Sequence, residues 1–270
     1  IIFRRGRGLA PSVDFPAGRL SDDMLAMGAE MKSAFAFTAN GNTYLSQYLG
    51  DTSTFESQNS FDISLRNLRA LMKPEIKGVA VDKHPNYHSS QIGIALAEEQ
   101  EWKLFKVQHH KAHFAAVLAE HDLLQSEEPI LGVVWDGLGY GDDGHVWGSE
   151  FFVLNENDME RVHHIENYPM IASNRMALEP AMAAYAILWP ENPGKVWLRK
   201  SFSQEEQDVF PQLAENPKQL SASMGRLFDA VAGILELKKV NTYEGEAAMA
   251  LQVLAEKSKI NIWNPYCIAL

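Results

Sequence analysis

The 270-residue chain carries 24 lysines and arginines against 35 aspartates and glutamates. The resulting net charge of −11 argues against a nonspecific nucleic-acid-binding protein. Hydrophobic residues make up 46% of the chain, which is enough to bury a core and excludes a disordered or fibrous protein.

The first half of the chain alternates short strands with helices. Asn40 and Gly41 lie between two β-type runs within residues 34–49, a pattern that predicts a hairpin. The elements predicted after it are a helix over 61–72, a strand over 78–82, a helix over 88–100, a strand over 104–108 and a helix over 110–124. This alternation predicts βαβ units and a partly parallel sheet.

The second half repeats this plan. Strands are predicted over 130–136, 145–154 and 161–168, and helices dominate from about residue 176 to residue 257. Each half thus opens with a β-meander and continues as α/β, a pseudo-repeat that suggests the actin-like ATPase architecture.

Two boundaries follow from the composition. Residues 1–19, rich in Arg, Gly and Pro, indicate a linker or the remnant of a preceding domain. The polar stretch 125–129 ends in proline and divides a first α/β subdomain, residues 20–128, from a second, residues 129–270.

The single cysteine, Cys267, bears on the expected compartment. One cysteine forms neither an intramolecular disulfide nor a cysteine zinc ribbon, so we predict a reducing compartment, the cytoplasm. No apolar run approaches the roughly 18 residues of a membrane span, and the start of the chain lacks the order of a signal peptide. We expect Cys267 to be an ordinary thiol rather than a catalytic one.

His109 and His113 are the strongest candidates for metal ligands. They lie four residues apart at a predicted strand-to-helix junction, so a helix places both imidazoles on one face. His110 stands where a zinc metalloprotease motif requires glutamate, so that class is disfavoured. On spacing alone the alternative, two surface histidines at a polar helix start, stays open.

Asp136 ends the predicted strand over 130–136 and begins a glycine-rich stretch. The turn predicted after it contains Gly137, Gly139, Gly141 and Gly144, whose backbone N–H groups would approach a phosphate closely. An aspartate at that place suits a metal ion. A plain glycine-rich hairpin is an equally good interpretation of these residues alone.

Two helix starts near the end of the chain are candidate nucleotide contacts. Gly225 and Gly245 would let a ligand approach closely, and Asp229, with Glu244 or Glu246, would hold ribose hydroxyls. The plainer alternative is two amphipathic helices. The first would then have a core face that we predict to be Met224, Leu227, Phe228, Val231 and Ile234, and replacing Phe228 by alanine would cost about 3–5 kcal/mol.

Lys32 is a weaker candidate for a phosphate contact. The alternative interpretation is that Lys32 is a solvated surface lysine. The segment VDKHPNY, residues 81–87, places Asp82, Lys83 and His84 at a predicted strand end, with no specific role of its own.

Taken together, the chain resembles the HypF family, carbamoyltransferases that mature nickel–iron hydrogenases. The resemblance covers nearly the whole chain in the family's order, and rests on RRGRGLAP, GAEMKSAF with YLSQYLGD, VAVDKHPNY, VQHHKAHFAAVLAEH, WDGLGYGDDGHVWGSE, SMGRLFDAVAGIL and TYEGEAAMAL. It implies an actin-like ATPase (ribonuclease H-like) fold from about residue 20, with two duplicated α/β subdomains of which the second is incomplete. RRGRGLAP would be the end of a YrdC-like domain.

The resemblance also implies an activity. In the family, the YrdC-like domain uses ATP to make carbamoyl-adenylate. The present type of domain then passes the carbamoyl group to the C-terminal cysteine thiol of HypE, the expected partner, which supplies the nucleophile. The resulting thiocarbamate becomes a cyanide ligand of iron.

Site residues carry over by motif. His109, His113 and Asp136 would bind one zinc or iron ion, and Gly137 and Gly139 would face phosphate. Asp229, Gly245 and Glu246 would lie near the sugar of the nucleotide, which magnesium would accompany. Gly225 and Lys32 are candidate nucleotide contacts from the residues alone.

Because the family continues past TYEGEAAMAL with a further metal-binding aspartate, the chain is interpreted as a piece of a longer enzyme. We expect it to make no carbamoyl-adenylate alone and to transfer the carbamoyl group weakly or not at all. The alternatives are an O-carbamoyltransferase, a tRNA threonylcarbamoyl transferase, or an inactive module that docks HypE or a nucleotide.

Overall fold

The computed structural model describes residues 12–13, 23–156, 158–190 and 200–258. Most of the predicted linker over 1–19 and Cys267 lie outside these residues. Internal contacts group the chain into unit 1 (Ile1–Val133, Tyr140–Asp142 and Phe151–Val162) and unit 2 (Val134–Gly139, Asp143–Glu150 and His163–Leu270). The predicted division between residues 128 and 129 stays a prediction.

The described elements form a mixed α/β protein with two sheets, the class that the alternation predicts. The strands are β1 (Ser12–Val13), β2 (Met24–Ala26), β3 (Ala36–Ala39), β4 (Asn42–Leu45), β5 (Gly78–Asp82), β6 (Lys103–Val107), β7 (Ile130–Tyr140), β8 (Val146–Asn155), β9 (Asp158–His163), β10 (Tyr168–Pro169) and β11 (Leu220–Ser221). The helices are α1 (Phe55–Met72), α2 (His88–Gln100), α3 (His109–Glu120), α4 (Arg175–Leu178), α5 (Pro180–Ile187), α6 (Gln204–Glu215), α7 (Met224–Ile234) and α8 (Glu246–Lys257). Among the described residues, every helix is too short or too polar to cross a bilayer.

The sheet of unit 1 has the strand order β1-β4-β3-β2-β5-β6. Its antiparallel β3–β4 hairpin turns at Asn40 and Gly41, whose φ angles of 53° and 72° are those of a tight two-residue turn. Strands β2, β5 and β6 run parallel. The predicted hairpin and the partly parallel sheet are both confirmed.

Helix α1 begins earlier than the predicted residue 61. Thr54 has an extended backbone, and its side chain accepts a hydrogen bond from the N–H of Ser57, which starts the helix at Phe55. The helix ends at Met72, and its C-cap Lys73 has φ 45° and precedes Pro74. Phe61 on this helix packs against Phe35 in the core of unit 1.

The second sheet has the order β10-β11-β8-β7, and β9 also pairs with β8. The strand predicted over 161–168 is therefore misplaced, because β9 ends at His163 and Tyr168 begins the separate strand β10. Strand β11 runs parallel to β8, with Ser221 opposite Val146.

Of the predicted core face of helix α7, Met224 is buried and Leu227 and Val231 are half-buried. Phe228 and Ile234 are 37% and 39% exposed, whereas Ala230 is fully buried and Gly233 is buried. A Cβ at Gly233 would lie 2.6 Å from the carbonyl oxygen of Pro180, at the start of α5. The predicted core role of Phe228 is thus wrong, because the close approach of α5 admits only small side chains.

Substitutions on α7 distinguish the two faces. Gly233→Ala is expected to cost about 1–3 kcal/mol through overpacking against backbone that has little freedom to move. Phe228→Ala is expected to cost less than the roughly 3–5 kcal/mol of a buried phenylalanine. Urea unfolding of both variants measures the difference, and a greater loss for Phe228→Ala would contradict this packing.

Candidate metal and nucleotide-binding residues

Helix α3 starts one residue earlier than predicted and so includes His109. Gln108, which follows β6, is its N-cap, with a side-chain oxygen that accepts from the N–H of Lys111. The Gln108 side chain is buried, and its Nε2 donates to the carbonyl oxygen of Tyr140 at 3.1 Å. The first turn of α3 is therefore anchored within unit 1, and His109 is its first residue.

His109 and His113 direct ring nitrogens at each other across one helical turn. The two Nε2 atoms lie 3.2 Å apart, and the rings are 79° from coplanar. Zinc binds imidazole at about 2.0–2.1 Å, so two nitrogens in a tetrahedral site lie about 3.3 Å apart. The pair therefore fits a shared metal ion.

Asp82, at the end of β5, contacts the other nitrogen of His109. Its Oδ2 lies 2.7 Å from His109 Nδ1, and the aspartate side chain is only 7% exposed. Nδ1 is thus engaged by protein, while Nε2 faces His113.

Asp136 lies within a strand in unit 2, not at its end. Strand β7 continues to Tyr140, so Gly137 and Gly139 belong to the strand. The turn comes later, where Asp143 accepts from the N–H of His145 and Gly144 has φ 79°. The predicted turn directly after Asp136 is wrong, because the side-chain and glycine geometry that reverses the chain lies at residues 143–145.

Gly137, which also belongs to unit 2, contacts the start of α7. The Ser223 side chain caps this helix by accepting from the N–H of Arg226 and donates to the carbonyl oxygen of Gly137 at 2.5 Å. A Cβ at Gly225 would lie 3.0 Å from the Gly137 Cα. These two predicted nucleotide residues are brought together, and the missing Cβ of Gly225 serves that backbone contact.

Asp229 is buried and paired on α7. Its Oδ2 accepts from Arg226 at 2.7 Å, and its Oδ1 accepts from the Asn241 side chain at 3.2 Å. Burial raises the pKa of the Asp229 carboxyl, against the opposing effects of Arg226 and Asn241. These bonds fix the loop that leads from α7 to α8.

Glu246 fixes the other end of that loop. Gly245, with φ 78°, is the N-cap of α8, and open space surrounds the position of its absent Cβ. The Glu246 carboxylate accepts from Lys238 Nζ at 2.6 Å and from the backbone N–H and hydroxyl of Thr242. Lys238, followed by Thr242, lowers the pKa of Glu246 to about 2.

This pKa predicts a pH dependence. The pKa of Glu246 is lowered from 4.5 to about 2 by folding, so its stabilisation is present above pH 4.5 and is lost as the pH falls towards 2. Glu246→Gln is expected to lower the free energy of unfolding near neutral pH. As the pH falls from 4.5 towards 2, the free energy of unfolding should decrease less in this variant than in the parent chain. Urea unfolding across the window measures this, with Glu256→Gln, an exposed carboxylate on the same helix, as the control. An unchanged pH profile for Glu246→Gln would contradict the role assigned to these contacts.

The remaining predicted contacts belong to different units. Lys32 is exposed in a turn of unit 1 with φ 52°, whereas Gly137, Gly139, Gly225, Asp229, Gly245 and Glu246 all belong to unit 2. The metal role of Asp136 and the nucleotide roles of these residues stay predictions.

Sequence reasoning assigned no site role to Asp82, Gln108 or Arg226. For Asp82 a signal existed, since parallel strands bring their carboxyl ends to one edge of a sheet, and β5 and β6 end there together. Gln108 and Arg226 carried no comparable signal.

Comparison with known families bears on what these units are. A sequence model described as "HypF Kae1-like domain" matches residues 19–120. Another, described as "Carbamoyltransferase, Kae1-like Domain, second subdomain", matches residues 132–269.

Curated relatives agree. The chain is 34% identical to carbamoyltransferase HypF of Synechocystis sp. over 93% of this chain and 35% of that protein. It is 33% identical to HypF2 of Cupriavidus necator, covering 94% of this chain and 31% of the relative. The chain thus spans about a third of the length of these relatives.

Solved structures show the same likeness. A crystal structure of T. kodakarensis HypF matches with a TM-score of 0.82 and 32% identity, over 97% of this chain and 36% of that one. Full-length HypF in a phosphate- and nucleotide-bound form matches with a TM-score of 0.78 and 29% identity, over 88% and 31%. The chain belongs to the HypF carbamoyltransferase family, and the actin-like, ribonuclease H-like fold class is confirmed.

Proposed function

We propose that this chain is the part of a HypF-type enzyme that passes a carbamoyl group from carbamoyl-adenylate to the C-terminal cysteine thiol of HypE. The product would supply a cyanide ligand for nickel–iron hydrogenase in the cytoplasm. The observation that carries the proposal is the converging pair of His109 and His113, 3.2 Å apart, in a chain whose relatives are named carbamoyltransferases.

His109 and His113 would hold one divalent ion, zinc or iron, with Asp136 as a third ligand on the strength of the family resemblance. Imidazole and carboxylate ligands suit both metals. When bound, such an ion would supply positive charge that polarises phosphate or carbamoyl oxygens.

The nucleotide would bind on unit 2. Gly137 and the start of α7 would lie beside the phosphates, because a helix N-terminus with close backbone favours anions. The oxygens of Asp229 and Glu246 bond to protein groups, so both residues would shape the sugar pocket by holding the loop from α7 to α8. Magnesium would accompany the nucleotide.

The transfer itself needs no redox partner. The cysteine sulfur of HypE would attack the carbonyl carbon of carbamoyl-adenylate and form a C–S bond. The bond from that carbon to the phosphate oxygen would break, AMP would leave with the electron pair, and the thiol proton would pass to solvent. Because the nucleophile belongs to the partner, this chain would need no reactive cysteine of its own.

An exchange experiment tests this function. Residues 19–269 replace the matching segment of full-length Synechocystis HypF, and the hybrid receives carbamoyl phosphate, ATP and HypE. Mass spectrometry is expected to find thiocarbamate on the C-terminal cysteine of HypE. The matched hybrid with His109→Ala and His113→Ala is expected to leave HypE unmodified.

Other acceptors define the alternatives. A hybrid that binds metal and nucleotide, yet carbamoylates only a small alcohol, would indicate an O-carbamoyltransferase, and modified tRNA would indicate the tRNA enzyme. A hybrid that binds HypE without any transfer would indicate a docking module. Each of these results would overturn the proposal.

A further inference from the structure

Asp82 is the residue of the VDKHPNY segment that reaches the candidate metal site. It is the last residue of β5 and pairs with Val107 at the end of the parallel strand β6. Two residues after Val107 the chain reaches His109. The sheet therefore brings the aspartate and the histidine together although they lie far apart in sequence.

Both oxygens of the Asp82 carboxylate contact hydrogen-bonding groups of the protein. Oδ2 lies 2.7 Å from His109 Nδ1, and Oδ1 accepts from the backbone N–H of His84 at 2.8 Å. The Ser90 hydroxyl donates to the Asp82 carbonyl oxygen at 3.1 Å, which also ties the backbone of Asp82 to α2. The contacts with His84 and His109 together hold the carboxylate in one orientation.

This arrangement selects one form of the imidazole. A carboxylate only accepts hydrogen bonds, so neutral His109 must carry its proton on Nδ1. The lone pair then lies on Nε2, the nitrogen that faces His113. Carboxylate–histidine contacts of this kind orient metal ligands and raise their basicity.

We propose that Asp82 is a positioning residue that holds His109 as the Nδ1–H tautomer, with Nε2 as the metal-binding atom. Its use in the enzyme rests on the proposed function, but the tautomer is a property of this chain without metal. Asp82 itself contributes no ligand atom to the ion.

Asp82→Asn separates positioning from charge. The N–H of His84 requires an acceptor, so the asparagine oxygen takes the place of Oδ1 and its NH₂ group faces His109. A donor there favours the opposite tautomer, with the proton on Nε2, as is known for aspartate–histidine pairs in catalytic triads. In Asp82→Ala, water takes the place of the carboxylate beside His109, and the side chain at position 82 no longer favours either tautomer.

The first measurement needs no Asp82 variant. Long-range ¹H–¹⁵N NMR of the metal-free chain at alkaline pH reports the tautomer of each neutral histidine, with His109→Gln used to assign the signal. We expect His109 with Nδ1 protonated and Nε2 unprotonated. A proton on Nε2, or an average of both forms, would overturn the inference.

The second measurement is zinc affinity by competition with a chelator. Asp82→Ala is expected to weaken zinc binding by about 10–100-fold, and Asp82→Asn by at least as much. The control is Asp142→Asn, which removes an exposed carboxylate that pairs with Lys83 in the same unit and is expected to bind zinc as the parent does. Parent-like affinity in both Asp82 variants, with circular dichroism showing them folded, would also overturn the inference.

The two proposals fail separately. A parent chain that binds no zinc would refute the metal site, whereas the tautomer measurement would still decide the role of Asp82.

Discussion

Replacing His109 and His113 together by alanine is expected to reduce the metal content of the chain from about one zinc or iron ion to none. The two Nε2 atoms lie 3.2 Å apart, and the double variant removes two of the three proposed ligands. Both residues lie on the first turns of α3 with His109 half-buried and His113 exposed, so we expect the fold to persist. Elemental analysis of the purified proteins measures the result.

His121→Ala is the matched control for this experiment. His121 is an exposed histidine at the other end of α3, so its removal is expected to leave the metal content unchanged. Equal metal in the parent and in the double variant would contradict the site. A parent chain that stays empty after incubation with zinc would contradict it as well.

The second large effect is expected at a buried ion pair in unit 2. Arg226 and Asp229 have side chains that are 12% and 2% exposed. Arg226→Ala would leave a buried carboxylate without its cation, which typically costs about 3–5 kcal/mol. Burial raises the pKa of Asp229 even with Arg226 present. Lowering the pH should therefore protonate this carboxylate and reduce the stability that Arg226→Ala loses.

Arg175→Ala is the control for that prediction. Arg175 pairs with Glu179 and Glu206 at the surface, with its own side chain 43% exposed, and such pairs contribute about 0–1 kcal/mol. Urea unfolding followed by tryptophan fluorescence compares the two variants. If Arg226→Ala lowered the free energy of unfolding no more than Arg175→Ala does, the buried pair would not be important for stability.

Much of the secondary structure could be predicted because it depends on neighbours in sequence. The strand over 78–82 and the helix over 88–100 agree with the structure to the residue. The hairpin at Asn40 follows from local turn geometry, and the i, i+4 spacing of His109 and His113 follows from helical periodicity. These features require no knowledge of what packs against them.

The misplaced turn and the misassigned Phe228 have a different origin. The glycines after Asp136 indicate a turn locally, yet Gly137 stays in β7, where the cap of α7 bonds its carbonyl oxygen. Phe228 has the spacing of a core residue, yet the close approach of α5 at Gly233 leaves the ring partly exposed. In both places a distant backbone decides the outcome.

The sequence by itself determined the alternation of strands and helices in the first half of the chain, the family resemblance, and the pair of imidazoles on one helix face. Only the tertiary structure decided that Asp82 contacts His109 and that Asp229 bonds Arg226 and Asn241. The reason is physical: periodicity and turn chemistry act over a few residues, whereas the parallel pairing of β5 with β6 and the loop from α7 to α8 join residues that sequence spacing does not relate.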